Sequence, residues 1–320
     1  MKNITYVQAI NEALAEELER DEKVFIIGES IQQGAFGVTA GLVKRFGTDR
    51  IMDTPISETA IAGAAVGSAM TGYRPVADFM FADFMYIAFD EILSKAAKWR
   101  FMHEGTQSIP AVFMAAMGGY LGLGAEHSQA PVSYYMHTPG IKIAIPSTPY
   151  DAKGLMKTAI RDNNAVVFLY HKALLGLAGQ IPEEEYLVPL GKADIKRQGD
   201  DVTLVATGIQ VHYALTVADQ LKDKINIEVI DPRSLEPLDI DTIIKSVEKT
   251  GRAIVVDEDI SRCGVACEIA MQIVERAFDF LDAPVQRIAA KNYPIPPGAM
   301  ERFVLPQVDQ IAAAVKAVMG

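Results

Sequence analysis

Several common protein classes are excluded by what this sequence lacks. It has two cysteines, Cys263 and Cys267, too few for a disulfide framework. They stand four apart on a predicted helix with no histidine nearby, which reads as two plain buried thiols before it reads as a metal site. Positive charge is scarce. Thirty Lys and Arg against 41 Asp and Glu leave a net charge of −11 and a pI near 5.0, which offers nothing to nucleic acid or an anionic membrane. Long apolar runs are missing as well. The longest weakly polar stretch, residues 59–73, is too short and too rich in Gly and Ala to cross a bilayer, which takes about 20 apolar residues. The chain has no Gly-x-x-x-x-Gly-Lys-Ser/Thr phosphate loop and no Gly-x-Ser-x-Gly elbow, and the glycines of residues 118–124 lack the spacing of a dinucleotide fingerprint. The N-terminus runs straight into an amphipathic, partly acidic helix, so no signal peptide is expected and a cytoplasmic location is.

Core-forming material is ample. Half of the 320 residues are hydrophobic and 22% are charged, an ordinary globular composition with room for two domains of ~150 residues. Helical spacing covers residues 6–20, 149–162, 211–222, 241–249, 264–280 and 308–318, with a short helix at 40–46 and a long one within 82–105. Short apolar runs at 24–28, 75–79, 111–115, 141–145, 166–170, 202–206, 226–230, 253–256 and 285–289 read as strands. Strands alternating with helices predict an α/β fold with mainly parallel sheets. The pattern lapses between residues 174 and 189, so two parallel-sheet-dominated domains are expected, over 1–178 and 190–320.

The stretch Asp53-Thr54-Pro55-Ile56-Ser57-Glu58, followed by Thr59-Ala60-Ile61-Ala62-Gly63-Ala64-Ala65-Val66-Gly67, carries the first chemical signal. Pro55 keeps Thr54 extended, and Ser57 is the expected N-cap. Glu58 then opens a helix of small residues. A first-turn Glu commonly serves the helix dipole, worth about 0.3–1 kcal/mol. Glycines inside a helix, however, cost roughly 1 kcal/mol each and need a packing reason. Gly63 and Gly67 supply one by letting another backbone approach. A carboxylate therefore stands at the mouth of a tight seam.

A second signal is Gly124-Ala125-Glu126-His127-Ser128-Gln129, which follows a glycine-rich loop beyond a strand end. Open α/β sheets bind ligands there. His127 is the one histidine of the five in such a setting; a lone histidine is otherwise most often structural. Phe79, Phe81, Phe84, Tyr86 and Phe89 cluster after another strand. Most belong to the core, and one at the strand end would offer a flat face to a heterocycle.

These segments occur in a familiar order. With Ala159-Ile160-Arg161-Asp162-Asn163-Asn164, Gly191-Lys192-Ala193 and Val229-Ile230-Asp231-Pro232-Arg233-Ser234-Leu235, the chain resembles the beta subunit of the thiamine-diphosphate-dependent first component of 2-oxo acid dehydrogenase complexes. The similarity runs from Thr5 to the C-terminus. Ala62-Gly63-Ala64-Ala65-Val66-Gly67 and Pro146-Ser147-Thr148-Pro149-Tyr150-Asp151 look most like the acetoin dehydrogenase branch, with pyruvate dehydrogenase close behind.

The resemblance implies a transketolase-like pyrimidine-binding domain followed by a transketolase C-terminal domain, in an α2β2 heterotetramer. It implies that Glu58 contacts the aminopyrimidine of thiamine diphosphate, that Phe84 stacks on that ring, and that His127 faces the reacting centre. It places a potassium ion, held mostly by backbone carbonyls, at Ala111, Ala159, Ile160, Asp162 and Asn164. The C-terminal domain is expected to dock the lipoyl-bearing acyltransferase core. Family members bind Mg²⁺ and the diphosphate through Gly-Asp-Gly and a later Asn; this chain has only Gly199-Asp200-Asp201 and an unrelated Asn163-Asn164, so an alpha subunit is expected to supply that half. Residues 120–121 are Tyr-Leu where many pyruvate and branched-chain relatives have Arg. Two other readings remain open: a split transketolase-type half-enzyme, which would want basic residues in 121–133 where there are none, and a non-catalytic docking subunit.

Overall fold

The computed structural model describes all 320 residues, Met1–Gly320, which divide into two compact units: Met1–Met117 with Tyr134–Leu190, and Gly118–Ser133 with Gly191–Gly320. The segment Gly118–Ser133 thus groups with the second unit, although its sequence neighbours on both sides belong to the first.

In the first unit, helix α1 (Tyr6–Arg20) starts at a reciprocal cap between Thr5 and Gln8, satisfying two otherwise orphaned N–H groups. It precedes β1 (Val24–Gly28), β2 (Ile51–Asp53), α2 (Glu58–Met70), β3 (Arg74–Phe81), β4 (Val112–Met117), β5 (Lys142–Ala144), α3 (Pro149–Arg161) and β6 (Val166–His171). These six strands lie in the order β5-β6-β4-β3-β1-β2, all parallel. β4 and β6 are buried throughout, as unbroken apolar runs in a sheet covered on both faces should be. α1 packs on α3 across a buried ionic seam. Lys153 reaches Glu12 at 3.0 Å and Glu16 at 2.6 Å, and Lys157 reaches Glu16 at 2.8 Å. Lysines this deep require such partners. A two-stranded antiparallel ribbon, Lys2–Thr5 with Ala178–Ile181, escaped the sequence pattern because each strand has only four residues.

The second unit contains β7 (Asp194–Arg197), β8 (Val202–Ala206), α4 (Gln210–Leu221), β9 (Ile227–Asp231), α5 (Ile240–Thr250), β10 (Ala253–Ile260), α6 (Val265–Ala277), β11 (Gln286–Ala290) and α7 (Val308–Met319). Its sheet runs β11-β10-β8-β9-β7, parallel except for β7 at the edge. α4 and α7 cover one face through Val211, Val217, Ile311 and Val315 against Leu204, Val229 and Val256.

Two expectations need correction. Residues 82–105, expected as an aromatic-rich loop with a long helix, contain no long α-helix: they form a 3₁₀ segment, Ala82–Ala88, then a π-helical segment, Asp90–Ala96, and a short turn of helix, Trp99–Met102. π turns often mark functional sites. The cysteines are not buried thiols on one helix. Cys263 is exposed with φ +56° and precedes α6, while Cys267 is half-buried on its first turn beside Arg287, whose Nη1 donates to Sγ at 2.6 Å. No helix is long and apolar enough to cross a membrane.

Candidate functional site

Each unit ends an interior strand with the same local device. On β3, Asp78 is buried and its Oδ1 accepts the N–H of Met80 at 2.9 Å, where the register with β4 shifts and Met80 takes φ +64°. On β10, Asp257 is buried and its Oδ1 accepts the N–H of Asp259 at 2.7 Å, where the register with β11 shifts. Bulges of this kind re-aim the chain at a strand end. Burial, opposed by the Met80 hydrogen bond and reinforced by Glu29, pushes Asp78 up to about 7 from 3.8. Burial and the neighbouring Asp259 do the same to Asp257, also to about 7.

In the first unit, the bulge turns the chain into the 3₁₀ segment that carries Phe84. The Phe84 ring is half-buried and meets Phe81 edge-on at 5.3 Å, and Phe81 meets Phe36 at 5.0 Å. Glu58 lies close by, because Thr59 Oγ1 donates to Ile87 O at 2.9 Å and ties the head of α2 to this segment. Ser57 occupies the N-cap position, but its side chain makes no capping bond. Its exposed hydroxyl can bond water at less cost. Glu58 is half-buried, and no hydrogen bond or ion pair within the chain ties its carboxylate. The small-residue face behind it is open: a Cβ on Gly67 would touch nothing, Ala60 and Ala64 are exposed, and Met70 and Ile56 are 43% and 78% exposed. An untied carboxylate at the head of a helix tied to the segment that bears Phe84 fits a nitrogen heterocycle: it can hold a proton at a ring nitrogen, and a phenyl face can cover such a ring.

The five residues expected at a potassium ion all belong to the first unit, Ala159, Ile160, Asp162 and Asn164 at or just after the C-terminal end of α3 and Ala111 just before β4. The carbonyls of Ala111, Ala159, Ile160 and Asp162 each already accept a hydrogen bond. Arg74 Nη1 donates to Ile160 O at 3.0 Å and to Asp162 O at 2.9 Å. Ala111 O accepts from Val166 N at 2.9 Å, and Ala159 O from Asp162 N at 3.3 Å. Lys142 pairs with the Asp162 carboxylate at 2.5 Å, and Arg100 donates to Asn164 Oδ1 at 2.8 Å. A carbonyl-rich helix end suits a monovalent cation, and here a guanidinium already serves two of its oxygens.

His127 lies in the second unit's segment Gly118–Ser133, half-buried, on a turn where its N–H donates to Gly124 O at 3.2 Å. Ser128 beside it is fully buried, with no hydrogen bond to its Oγ. The segment's glycine-rich half is held by side chains outside the expected set. Gly119 N–H donates to Glu258, and Tyr120 and Gly122 N–H donate to Glu301 at 3.1 and 3.0 Å. The run Asp257-Glu258-Asp259 at a strand end was the available signal, since three consecutive acids there must find donors. Glu301 carried no such signal. Gly199-Asp200-Asp201 forms a turn, with Asp200 and Asp201 N–H donating to Asn226 O at 3.1 and 2.9 Å. No three His, Cys, Asp or Glu side chains are grouped to hold a metal ion.

Two family models match the chain. The one described as "Transketolase, pyrimidine binding domain" matches residues 2–177, and "Transketolase, C-terminal domain" matches residues 191–311. The chain is 43% identical to the acetoin:2,6-dichlorophenolindophenol oxidoreductase subunit beta of Bacillus subtilis, over 99% of this chain and 97% of that one. It is also 43% identical to the pyruvate dehydrogenase E1 component subunit beta of Rhizobium meliloti, over 99% and 70%, and to the 2-oxoisovalerate dehydrogenase subunit beta of Bacillus subtilis, over 99% and 98%. A solved structure titled "Split gene transketolase, inactive beta4 tetramer" superposes with a TM-score of 0.80 at 21% identity, covering 99% of this chain and 98% of that one. At that identity the likeness speaks for the fold alone.

Proposed function

Since this chain belongs to the family of beta subunits of the thiamine-dependent first component of 2-oxo acid and acetoin dehydrogenases, we propose that it is the pyrimidine-holding half of such an enzyme. Glu58 carries the reading. Its carboxylate is left untied at the head of an open helix, next to the segment bearing Phe84.

When bound, thiamine diphosphate supplies the nucleophilic carbon and the electron sink needed to break a bond next to a carbonyl. The chain's own residues do the rest. Glu58 holds a proton at the pyrimidine nitrogen N1′, which lets the cofactor's amino group act as a base. Phe84 covers the ring. His127 would give or take a proton in transfer to the lipoyl group of the core acyltransferase, a task suited to an imidazole near neutral pH. The alpha subunit contributes the Mg²⁺ and diphosphate half, and the small-residue face of α2 lets its backbone come close. The C-terminal domain, residues 190–320, docks the acyltransferase core. Potassium would share the α3 carbonyl end with Arg74.

Among substrates, acetoin suits the chain better than a 2-oxo acid. The segment Gly118–Ser133 carries His127 and Glu126 but no Lys or Arg, and Leu121 and Leu123 on it are 49% and 44% exposed. A neutral hydroxyketone needs no cation, whereas a carboxylate does. The test is to co-purify the chain with its alpha partner and measure cleavage of acetoin, pyruvate and branched-chain 2-oxo acids with an artificial electron acceptor. Acetoin should give the highest kcat/KM. Preference for pyruvate by tenfold would overturn the substrate reading, and no turnover with any of them would overturn the function.

A further inference from the structure

The segment bearing His127 runs from Gly118 to Pro131 without helix or strand, apart from one bridge pair of Leu123 with Pro297, and the short helix Val132–Met136 follows. Something other than a backbone ladder must therefore set where the imidazole sits.

We propose that Glu301 and Glu258 are the positioning groups of the His127 segment: two buried carboxylates that converge on Gly119 and hold the loop by its backbone N–H groups. The proposal rests on the reading of His127 as a proton-transfer group. Glu258 and Glu301 are 5% and 8% exposed. An ionised carboxylate stripped of water needs strong donors. For Glu301 these are all backbone N–H groups of the loop: Tyr120 to Oε2 at 3.1 Å, and Gly122 to Oε1 at 3.1 Å and Oε2 at 3.0 Å. Glu258 takes the N–H of Gly119. Glu258 Oε1 and Glu301 Oε2 each lie 3.5 Å from where a Cβ on Gly119 would stand, so the two carboxylates flank this position, with the tip of Leu305 against it.

The loop is fixed at other points too. Tyr120 adopts φ +66°, an uncommon conformation for a bulky residue. Its hydroxyl donates to Pro306 O at 2.8 Å and accepts from Gln210 Nε2 at 2.6 Å. Gly298 N–H donates to Gly122 O at 2.9 Å. At the far end, Ser133 N–H donates to Asp259 Oδ2 at 3.0 Å. Adjacent acids on the bulged end of β10 therefore take the two ends of the segment, Gly119 and Ser133, and His127 lies between them. Glu301 sits on the 3₁₀ turn Gly298–Phe303, so the C-terminal stretch sets the geometry of a residue far away in sequence.

The test uses the assembled alpha–beta complex with Glu301→Gln, which keeps one acceptor oxygen but turns an amide NH₂ toward the loop's donors. Hydrogen exchange is read across the chain, and turnover is read in a double-mutant cycle with His127→Ala. Amides of residues 119–127 should exchange about tenfold faster or more, while exchange in α2 stays unchanged. Glu301→Gln should lower kcat about tenfold with KM little changed in the His127 background, and have no further effect in the His127→Ala background. Unchanged exchange in 119–127 would overturn the clamp whatever the activities. Faster exchange with an equal loss of kcat in both backgrounds would overturn the positioning role. Faster exchange with full activity in His127→Ala would leave the clamp standing and refute the catalytic reading of His127 instead.

Discussion

The bulged end of β3 and the bulged end of β10 are built alike and used differently. Each has a buried aspartate whose carboxylate accepts the N–H two residues on, and each aspartate is pushed up to about 7. After β3 the chain delivers the 3₁₀ segment that bears Phe84, tied through Ile87 to the head of α2, where the Glu58 carboxylate is untied and half-exposed. After β10 the acids Glu258 and Asp259 are consumed in holding Gly119 and Ser133. A buried acid satisfied by backbone N–H groups is structural. An acid at a helix head with no donor in its own chain is available for chemistry. The first unit thus leaves a carboxylate open, and the second ties its carboxylates to the backbone of the loop that carries His127.

The largest effect expected from this contrast is loss of all turnover when the alpha partner is omitted, because the sequence lacks the Gly-Asp-Gly and later Asn that would hold the metal and diphosphate. Measurable turnover by the purified chain alone, with thiamine diphosphate and Mg²⁺ added, would break the comparison at its root. Next in size is His127→Ala in the assembled complex. Lipoyl-domain acylation should fall about 10²-fold, and substrate cleavage followed with an artificial acceptor should fall much less. Equal losses would move His127 to the earlier step, and no loss would make it structural.

Much of this contrast was legible in the sequence, and the part that was not has a physical cause. α1 and α3 carry clear amphipathic periods and local caps at Thr5 and Thr148, and the parallel strands are short apolar runs, so the α/β alternation could be read from local pattern, whereas the grouping of Gly118–Ser133 with the second unit could not. Glu58 stood out because glycines in a helix demand an explanation. Glu301 did not, because its partners, Tyr120 and Gly122, lie far off in sequence and no local pattern reports such a bond. The 3₁₀ and π segments after β3 were also hidden, since their periods of roughly three to four residues per turn lie close to that of an α-helix and composition does not separate them. Ser57 has the right residue type for a cap, but its side chain is not used as one.

A smaller effect separates the two buried aspartates. Each holds in the folded state a proton that the unfolded chain releases above its ordinary value of 3.8. Stability from these groups is therefore greatest below that value, falls as the pH rises toward about 7, and is flat above that. Asp257→Asn should flatten this slope in the second unit only, and Asp78→Asn in the first only. Hydrogen exchange at pH 5 and pH 8, read unit by unit, distinguishes them, and an unaltered slope in both variants would refute the assignment.

The smallest effect concerns potassium. With Arg74 donating to Ile160 O and Asp162 O, replacing K⁺ by a large organic cation should shift the melting temperature of the wild-type chain by only a few degrees, on the order of 1 kcal/mol. Arg74→Met should make the shift larger. A wild-type chain that unfolds without K⁺ would show that the guanidinium does not carry the charge these carbonyls call for.

The most direct test of the account is Glu58→Gln in the assembled complex, with turnover and melting temperature measured on the same preparation. An amide cannot share a proton with N1′ as a carboxyl does, so turnover should fall about 10²–10⁴-fold while melting stays as in the wild type. Near-normal turnover with a lowered melting temperature would contradict the account and return Glu58 to serving the dipole of its own helix.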